Sequence, residues 1–374
     1  MATGKQRFYA LDVLRGMAIA IMLFLDAPPD TIYAILEHAP WAGLTVPDVA
    51  LPIFSFAMGA GAAISMSKRE PSTKRILTRA AIMFGVGLFL TFTWNIFALI
   101  AVYGFTAENF FDVMIAHGRL FGIIQRLAVT YAAGIFLARA IQSNVGILAA
   151  ALILLIVSTA GFYVYAPENP FDEAHNISRA VDYIFPGANH IYTPTHDPEG
   201  LYGSIAGTAS VLFGFLAGRV LIDTATIRDK IFLLGAAGIV LLIAGGLWSS
   251  FDIMSKKLWT SSFTLINAGG DALALALLMK LFDAAPDAEK FFRPLKALGM
   301  NPLFFFVMNY LVLTVVNFLP SPTDGLGWYM WLYYHTTAEF ISVKFGATLF
   351  CATWCLLWLP LAELLYRRGI VIKI

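Results

Sequence analysis

The sequence has little charge and almost no cysteine. Charged residues make up 13% of its 374 residues, about half the share of roughly 25% that is typical of soluble domains. This deficit excludes an ordinary water-soluble globule. The only two cysteines, Cys351 and Cys355, stand four residues apart in an apolar stretch, and this spacing predicts neither a disulfide framework nor a zinc knuckle.

Several signatures of catalysis and binding are also missing. The sequence contains no HExxH helix, no GxSxG turn, no P-loop and no GxGxxG motif in a strand-turn-helix context. We therefore expect no bound metal and no NTPase, serine hydrolase or Rossmann chemistry. The formal net charge is only +1, so no excess of positive charge indicates a nucleic-acid partner.

Long apolar runs dominate the chain, of which 59% is hydrophobic. A helix needs about 20 mostly apolar residues to cross a lipid bilayer. The sequence therefore predicts an all-α protein, a polytopic transmembrane helical bundle of about ten spans, in which residues 1–374 form a single domain. The expected spans lie near residues 9–27, 44–66, 76–98, 119–141, 144–165, 200–221, 230–249, 258–281, 295–318 and 339–366.

The distribution of charge predicts the orientation. Short loops rich in Lys and Arg stay in the cytoplasm, and placing both termini there puts most basic residues on the same side. All six histidines and many carboxylates then lie on the opposite face. We expect a multi-pass protein of a bacterial inner membrane, although a eukaryotic organelle membrane is also compatible.

One outer connection, residues 166–199, is much longer than the others and carries three histidines and five prolines. Loops longer than about 15 residues are usually functional or disordered, and its turn formers beside aromatic residues favour an ordered extracytoplasmic lid. His196 and Glu199 near its end are candidates for contacting a substrate. The alternative is that acidic residues merely satisfy the start of the next helix.

Ionisable residues inside apolar runs are costly and rarely accidental. Asp12 and Arg15 are spaced i,i+3, so they could pair with each other or bind an anionic ligand. Asp26 follows at the other end of the same helix, about 21 Å further along. The full set in or beside predicted spans is Asp12, Arg15, Asp26, Asp48, Arg126 and Asp271.

His38 is the candidate proton acceptor, since an imidazole titrates near neutrality. Asp26 and Asp48 bracket it along the chain, and Trp41 could stack on the face of a sugar. The alternative is an interfacial histidine without a chemical role.

Seven segments carry a resemblance to a known family. In order along the chain they are RFYALDVLRGMAIAIMLFLD, HAPWAGLTVPDVALPIFSFAMG, RILTRA, GIIQRLAVTY, DPEGLYGS, KLWTSSF and LGMNPLFF. The chain resembles the transmembrane acetyltransferases related to heparan-alpha-glucosaminide N-acetyltransferase, including bacterial members of the type called NagX. The resemblance implies acetyl transfer from cytosolic acetyl-CoA to the amino group of a terminal glucosamine across the membrane. It places the family's active-site histidine on His38 and its helix-one aspartate on Asp12.

The sequence departs from the family in two places. Asp26 stands where the family usually has asparagine, and Ala42 stands where it has a polar residue. An aspartate could orient His38, as a carboxylate does in a catalytic triad, or could hold an ammonium substrate.

The resulting hypothesis is a membrane-bound N-acetyltransferase with acetyl-CoA as co-substrate and an amino sugar or glycan as acceptor. His38 acts either as general base or as acetyl carrier. An O-acyltransferase of a surface glycan and a secondary transporter of sugars or other solutes remain alternatives, and a homodimer is left open. The expected catalytic residues are His38, Asp26 and Asp48; the donor contacts are Asp12, Arg15, Arg126 and Lys257; the acceptor contacts are Trp41, His196 and Glu199. Asn301, Asn309, Trp259 and Gln125 could line a channel or join helices by hydrogen bonds.

Overall fold

A computed structural model describes residues 8–285, 287–321, 325, 327–338 and 340–372. Within these ranges the regular structure is helical, and the only β-type pairing is an isolated bridge between Pro320 and Gly327. Because the chain is so apolar, helices that satisfy their own backbone hydrogen bonds are the expected solution in a bilayer. The all-α prediction is confirmed.

The described residues form sixteen α-helices joined by short turns. In chain order they are α1 (Tyr9–Leu25), α2 (Ala50–Met66), α3 (Thr73–Ala98), α4 (Ala107–Phe110), α5 (Ile123–Ile141), α6 (Asn144–Tyr165), α7 (Ile177–Asp182), α8 (Ser204–Asp223), α9 (Ile227–Trp248), α10 (Ser261–Ala284), α11 (Ala288–Phe291), α12 (Arg293–Gly299), α13 (Pro302–Phe318), α14 (Trp328–Thr336), α15 (Val343–Leu357) and α16 (Leu359–Arg367).

Each of the ten predicted spans coincides with one of these helices or with a consecutive pair. By length and composition, eight helical segments in the described ranges can cross a membrane. A ninth is formed if α12 and α13, which are bent by 83° relative to each other, act as one broken span. The remaining helix, α1, has 17 residues, fewer than the roughly 20 that a straight crossing needs. The chain is therefore a multi-pass membrane protein.

The bundle is closely packed where glycines let helices approach each other. A Cβ atom added at Gly214 of α8 would lie 1.9 Å from the backbone oxygen of Phe56 in α2. A Cβ at Gly16 of α1 would lie 1.7 Å from the oxygen of Leu295 in α12. Small residues at such crossings are typical of membrane helices, because packing rather than the hydrophobic effect holds them together in lipid.

The long connection 166–199 is ordered rather than extended. It contains α7 and a short helical turn at Ala188–His190. Asp182, at the end of α7, is fully buried and accepts a hydrogen bond of 2.8 Å from the backbone N–H of Leu201. This contact fixes the connection against the start of α8, where the candidate site lies.

Candidate active site

His38 is held by Asp48 through a short hydrogen bond. The two side chains meet at 2.6 Å between Nδ1 of His38 and Oδ1 of Asp48. The second oxygen of Asp48 accepts hydrogen bonds from Ala39 N and from both the backbone N–H and the hydroxyl of Thr45, at 3.1, 3.2 and 2.8 Å. Asp48 itself is 1% exposed. A capping box at the turn leading into α2 thus fixes the carboxylate that orients the imidazole.

This arrangement determines the tautomer of His38. A carboxylate only accepts hydrogen bonds, so Nδ1 carries the proton that it donates to Asp48. The other ring nitrogen, Nε2, has no partner in the described part of the chain and keeps its lone pair for a proton. The His38 side chain is 49% exposed, which leaves it open to a substrate.

Lys256 is a member of the site that sequence reasoning missed. Its Nζ lies 3.2 Å from Nδ1 of His38 and 3.6 Å from Oδ1 of Asp48. Burial lowers the pKa of the Lys256 ammonium, and the carboxylates of Asp48, Glu199 and Asp26 oppose that shift. The sequence hypothesis chose the neighbouring Lys257, because nothing in an irregular turn between two helices shows which of two adjacent lysines faces the site.

A cavity with about 350 Å³ of empty space, open to solvent on one side, adjoins His38. Its polar side chains are Asp26, His38 and Lys256. Asp271 of α10 is buried and is not among the residues that line it. The apolar lining comes from α1, α2, the turn before α2, and α5, through Ile21, Met22, Leu25, Pro47, Ala50, Leu51 and Ile123. The structure therefore brings Asp26, His38 and Asp48 together at one end of the bundle, as the sequence predicts.

The proposed acceptor residues form a second group beside this cavity. The rings of Trp41 and His196 meet edge to face at 5.3 Å. The indole N–H of Trp41 donates to Phe171 O at 2.9 Å, which ties it to the long connection. Burial lowers the pKa of His196, and the positive charge of Lys257 acts in the same direction. Lys257 therefore lies within electrostatic range of His196. Its predicted role was a contact to the acetyl donor.

Arg119 is the second residue that sequence reasoning missed. Its Nη2 lies 2.6 Å from Asp197 and 2.6 Å from Glu199, and its Nε donates to Asp197 at 3.1 Å. Burial raises the pKa of Glu199, but the positive charges of Arg119, Arg126 and Lys256 together outweigh burial, so the net shift is downward. Glu199 is thus an ionised partner of Arg119. No sequence spacing links residues about 80 positions apart.

Two predicted donor contacts lie at the opposite end of α1. Nη2 of Arg15 donates to Ala57 O at 3.0 Å, and its Nη1 lies 3.5 Å from Oδ1 of Asp12. Asp12 is separated from Asp26 by fourteen residues, or about 21 Å of helix. The structure therefore does not place Asp12 and Arg15 next to His38.

Arg126 lies on the His38 side instead. It is 2% exposed, and its Nη2 donates to Gly200 O at 2.8 Å.

The polar residues predicted to line a channel have partners within the protein. These hydrogen bonds join Asn301 to Ile370 and Ile372, Asn309 to Trp354, and Gln125 to Leu120. Within the described ranges, no cluster of three or more His, Cys, Asp or Glu side chains could hold a metal ion.

Comparison with known proteins agrees with the motifs. A scan against protein-family models finds no match. The chain is 24% identical over 431 residues to human (Homo sapiens) heparan-alpha-glucosaminide N-acetyltransferase, an alignment that covers 98% of this chain and 60% of the relative. The corresponding protein of Mus musculus is 24% identical over 372 residues, covering 82% of this chain and 53% of its own length. The chain spans little more than half the length of these relatives. The chain is thus distantly similar to the heparan-alpha-glucosaminide N-acetyltransferases over most of its length.

Proposed function

We propose that the protein moves an acetyl group from cytosolic acetyl-CoA to the amino group of a glucosamine-type sugar on the other side of a bacterial inner membrane. The names of the two relatives support the reaction class. The observation that carries the proposal is His38, which lines an open cavity while Asp48 holds its Nδ1 at 2.6 Å. This geometry leaves Nε2 available to take a proton from an incoming amine.

The reaction is a direct transfer within a ternary complex. The amine lone pair attacks the thioester carbonyl carbon, and its proton passes to Nε2 of His38. The carbonyl π electrons move onto oxygen to give a tetrahedral intermediate. That intermediate collapses, the C–S bond breaks, and the proton returns from His38 to the departing CoA sulfur. Asp48 holds the ring in the required tautomer and stabilises the imidazolium that forms.

The acceptor sugar lies between the cavity and the long connection. Asp26 attracts the acceptor in its ammonium form, because a carboxylate at the cavity wall attracts a cation. The ammonium releases one proton to solvent, and the neutral amine is the species that attacks. Trp41 offers an aromatic face for the sugar ring, and His196 lies against its edge. Glu199 is already paired with Arg119, so it contributes negative potential rather than a free carboxylate.

The donor follows α1 through the bundle. The phosphates of CoA cannot cross a hydrocarbon core about 30 Å thick, so they stay at the end of α1 that carries Asp12 and Arg15. The guanidinium of Arg15 suits phosphate recognition. Arg126 and Lys257 serve the thioester end near His38.

Reconstituted vesicles test this proposal. The purified protein is placed in liposomes, with labelled acetyl-CoA supplied on one side and glucosamine on the other. We expect label in N-acetylglucosamine when the two substrates are on opposite sides. N-Acetylglucosamine, which lacks the free amine, serves as the matched acceptor control. Label on the hydroxyls of that control would instead favour an O-acyltransferase, and sugar uptake without acetyl-CoA would favour a transporter.

Rapid-quench labelling separates the two roles of His38. The protein is mixed with radioactive acetyl-CoA in the absence of acceptor and is denatured within milliseconds. Direct transfer predicts no protein-bound label. A labelled protein that passes its acetyl group to glucosamine added later would show that His38 carries the acetyl group itself.

A further inference from the structure

A group of buried N–H donors next to the site has no hydrogen-bond partner among the described residues. The donors are Nε and Nη1 of Arg126 and Nε1 of Trp259. Arg126 is 2% exposed and Trp259 is 1% exposed. Burying a polar group without a partner is costly, and burying an unpaired charge is more so. Such donors in a protein interior indicate that a ligand supplies the missing acceptor.

The two side chains form one unit. The guanidinium carbon of Arg126 lies 4.9 Å from the centre of the Trp259 ring, within the range of a cation–π contact. Two glycines make room for them. A Cβ at Gly203 would lie 2.3 Å from Nη2 of Arg126, and a Cβ at Gly207 would lie 3.6 Å from Nε1 of Trp259. A larger residue at Gly203 would clash with the guanidinium of Arg126.

Nearby carboxylates do not neutralise Arg126. Asp197 and Glu199 are close enough to affect it electrostatically, but both are bonded to Arg119. Arg126 forms no ion pair with any described residue. The Arg126–Trp259 pair therefore presents only donors, which selects a group that only accepts: an oxygen with full or partial negative charge.

The location of the pair connects it to acetyl transfer. The backbone N–H of Trp259 donates to Lys256 O at 3.1 Å, and the side chain of Lys256 contacts His38. The turn before α10 thus carries both Lys256 and Trp259. Trp259 adopts a φ of 52°, an unfavourable backbone region for a bulky residue. Arg126 follows Ile123 by three residues on α5, which is nearly one helical turn. Ile123 lines the cavity.

From these contacts we infer that Arg126 and Trp259 bind the carbonyl oxygen of the acetyl thioester and stabilise the negative charge that it gains during attack. The inference rests on the proposed acetyl transfer and adds the group that receives the developing oxyanion. Preformed donors in a water-excluded site act most strongly when charge develops, because they need no reorganisation. They accelerate the chemical step rather than the binding of CoA.

The decisive variant is Trp259→Phe, which keeps an aromatic ring under Arg126 and removes the indole N–H together with part of the ring volume. The matched control is Trp354→Phe, since the indole of Trp354 is bonded to Asn309 at 2.8 Å and lies outside the site. We measure kcat for glucosamine acetylation and the Kd of acetyl-CoA and of free CoA by calorimetry. Removing one such donor should lower kcat by about a hundredfold, while the Kd of CoA stays unchanged.

Two results would overturn the inference. An unchanged kcat in Trp259→Phe would show that the indole N–H has no part in the reaction. Equal weakening of acetyl-CoA and CoA binding would assign the pair to a phosphate or pantetheine oxygen instead. Thermal melting of each variant separates these outcomes from misfolding, and Arg126→Lys, which keeps the charge but loses the planar donors, should reproduce the loss in kcat. If the wild type itself fails to acetylate glucosamine, the proposed function fails first.

Discussion

Nδ1 of His38 lies 2.6 Å from Oδ1 of Asp48, and the ammonium of Lys256 lies 3.2 Å from the same ring nitrogen. His38 is thereby held between opposite charges, and Nε2 is left without a partner among the described residues. This balance gives separate expectations for the two neighbours.

Asp48→Asn tests the orienting role. The amide retains the shape of the side chain but can donate to Nδ1, so it favours the wrong tautomer of His38. We expect kcat to fall by about 10²-fold to 10⁴-fold with little change in acetyl-CoA binding. Asp30→Asn, at an exposed outer-loop carboxylate that bonds to Thr31 and interacts with Tyr333, is the control. Wild-type turnover in Asp48→Asn would show that the dyad is not used.

Lys256→Met tests the charge balance. Without the ammonium 3.2 Å away, His38 should hold its proton to higher pH, since a nearby like charge no longer disfavours protonation. The acidic limb of the kcat/KM profile should therefore move to higher pH. Lys68→Met, at an exposed lysine after α2, should leave that limb in place. A uniform loss of activity with an unmoved limb would assign Lys256 a purely structural role.

Asp182 predicts a pH-dependent stability. Burial raises the pKa of its carboxyl from 3.8 to about 7, although the N–H of Leu201 opposes the shift. The folded state thus binds an extra proton between these values. Its stabilising effect is complete below pH 3.8 and is lost as the pH rises through about 7.

The measurement is the melting temperature of the wild type and of Asp182→Asn in detergent at pH 5 and pH 8. The wild type should lose stability between the two values, on the order of 3 kcal/mol at most, and the variant should lose less. Glu168→Gln changes an exposed carboxylate of the same connection and should behave like the wild type. Equal slopes for Asp182→Asn and the wild type would contradict the prediction.

Gly299→Ala tests the packing that positions Asp12. A Cβ at Gly299 would lie 1.8 Å from the backbone oxygen of Asp12, so α1 and α12 must separate. We expect a loss of about 1–3 kcal/mol or more in stability, read as a lower melting temperature. At Gly235 of α9 a Cβ meets nothing within 4 Å, so Gly235→Ala should be neutral or stabilising. Equal stability of the two variants would argue against the close crossing.

The sequence predicts the fold well because a membrane span is set by length and composition. Each apolar run became a helix, and the bend between α12 and α13 follows a break at Asn301–Pro302 that a run of hydrophobic residues does not reveal. The sequence marks His38, Asp26 and Asp48 as one group but considers Asp26 for the orienting role, whereas the structure gives the short hydrogen bond to Asp48. Lys256 and Arg119 were missed because their partners are distant in sequence. The role of Trp259 depends on a missing partner, which only the structure shows.

Acetyl transfer by His38→Ala tests the central claim most directly. The variant and the wild type are purified, their binding of acetyl-CoA is measured by calorimetry, and their turnover with glucosamine is compared. We predict that His38→Ala binds acetyl-CoA with wild-type affinity and melts at the wild-type temperature but forms no detectable N-acetylglucosamine. Turnover at the wild-type rate in this variant would contradict the account.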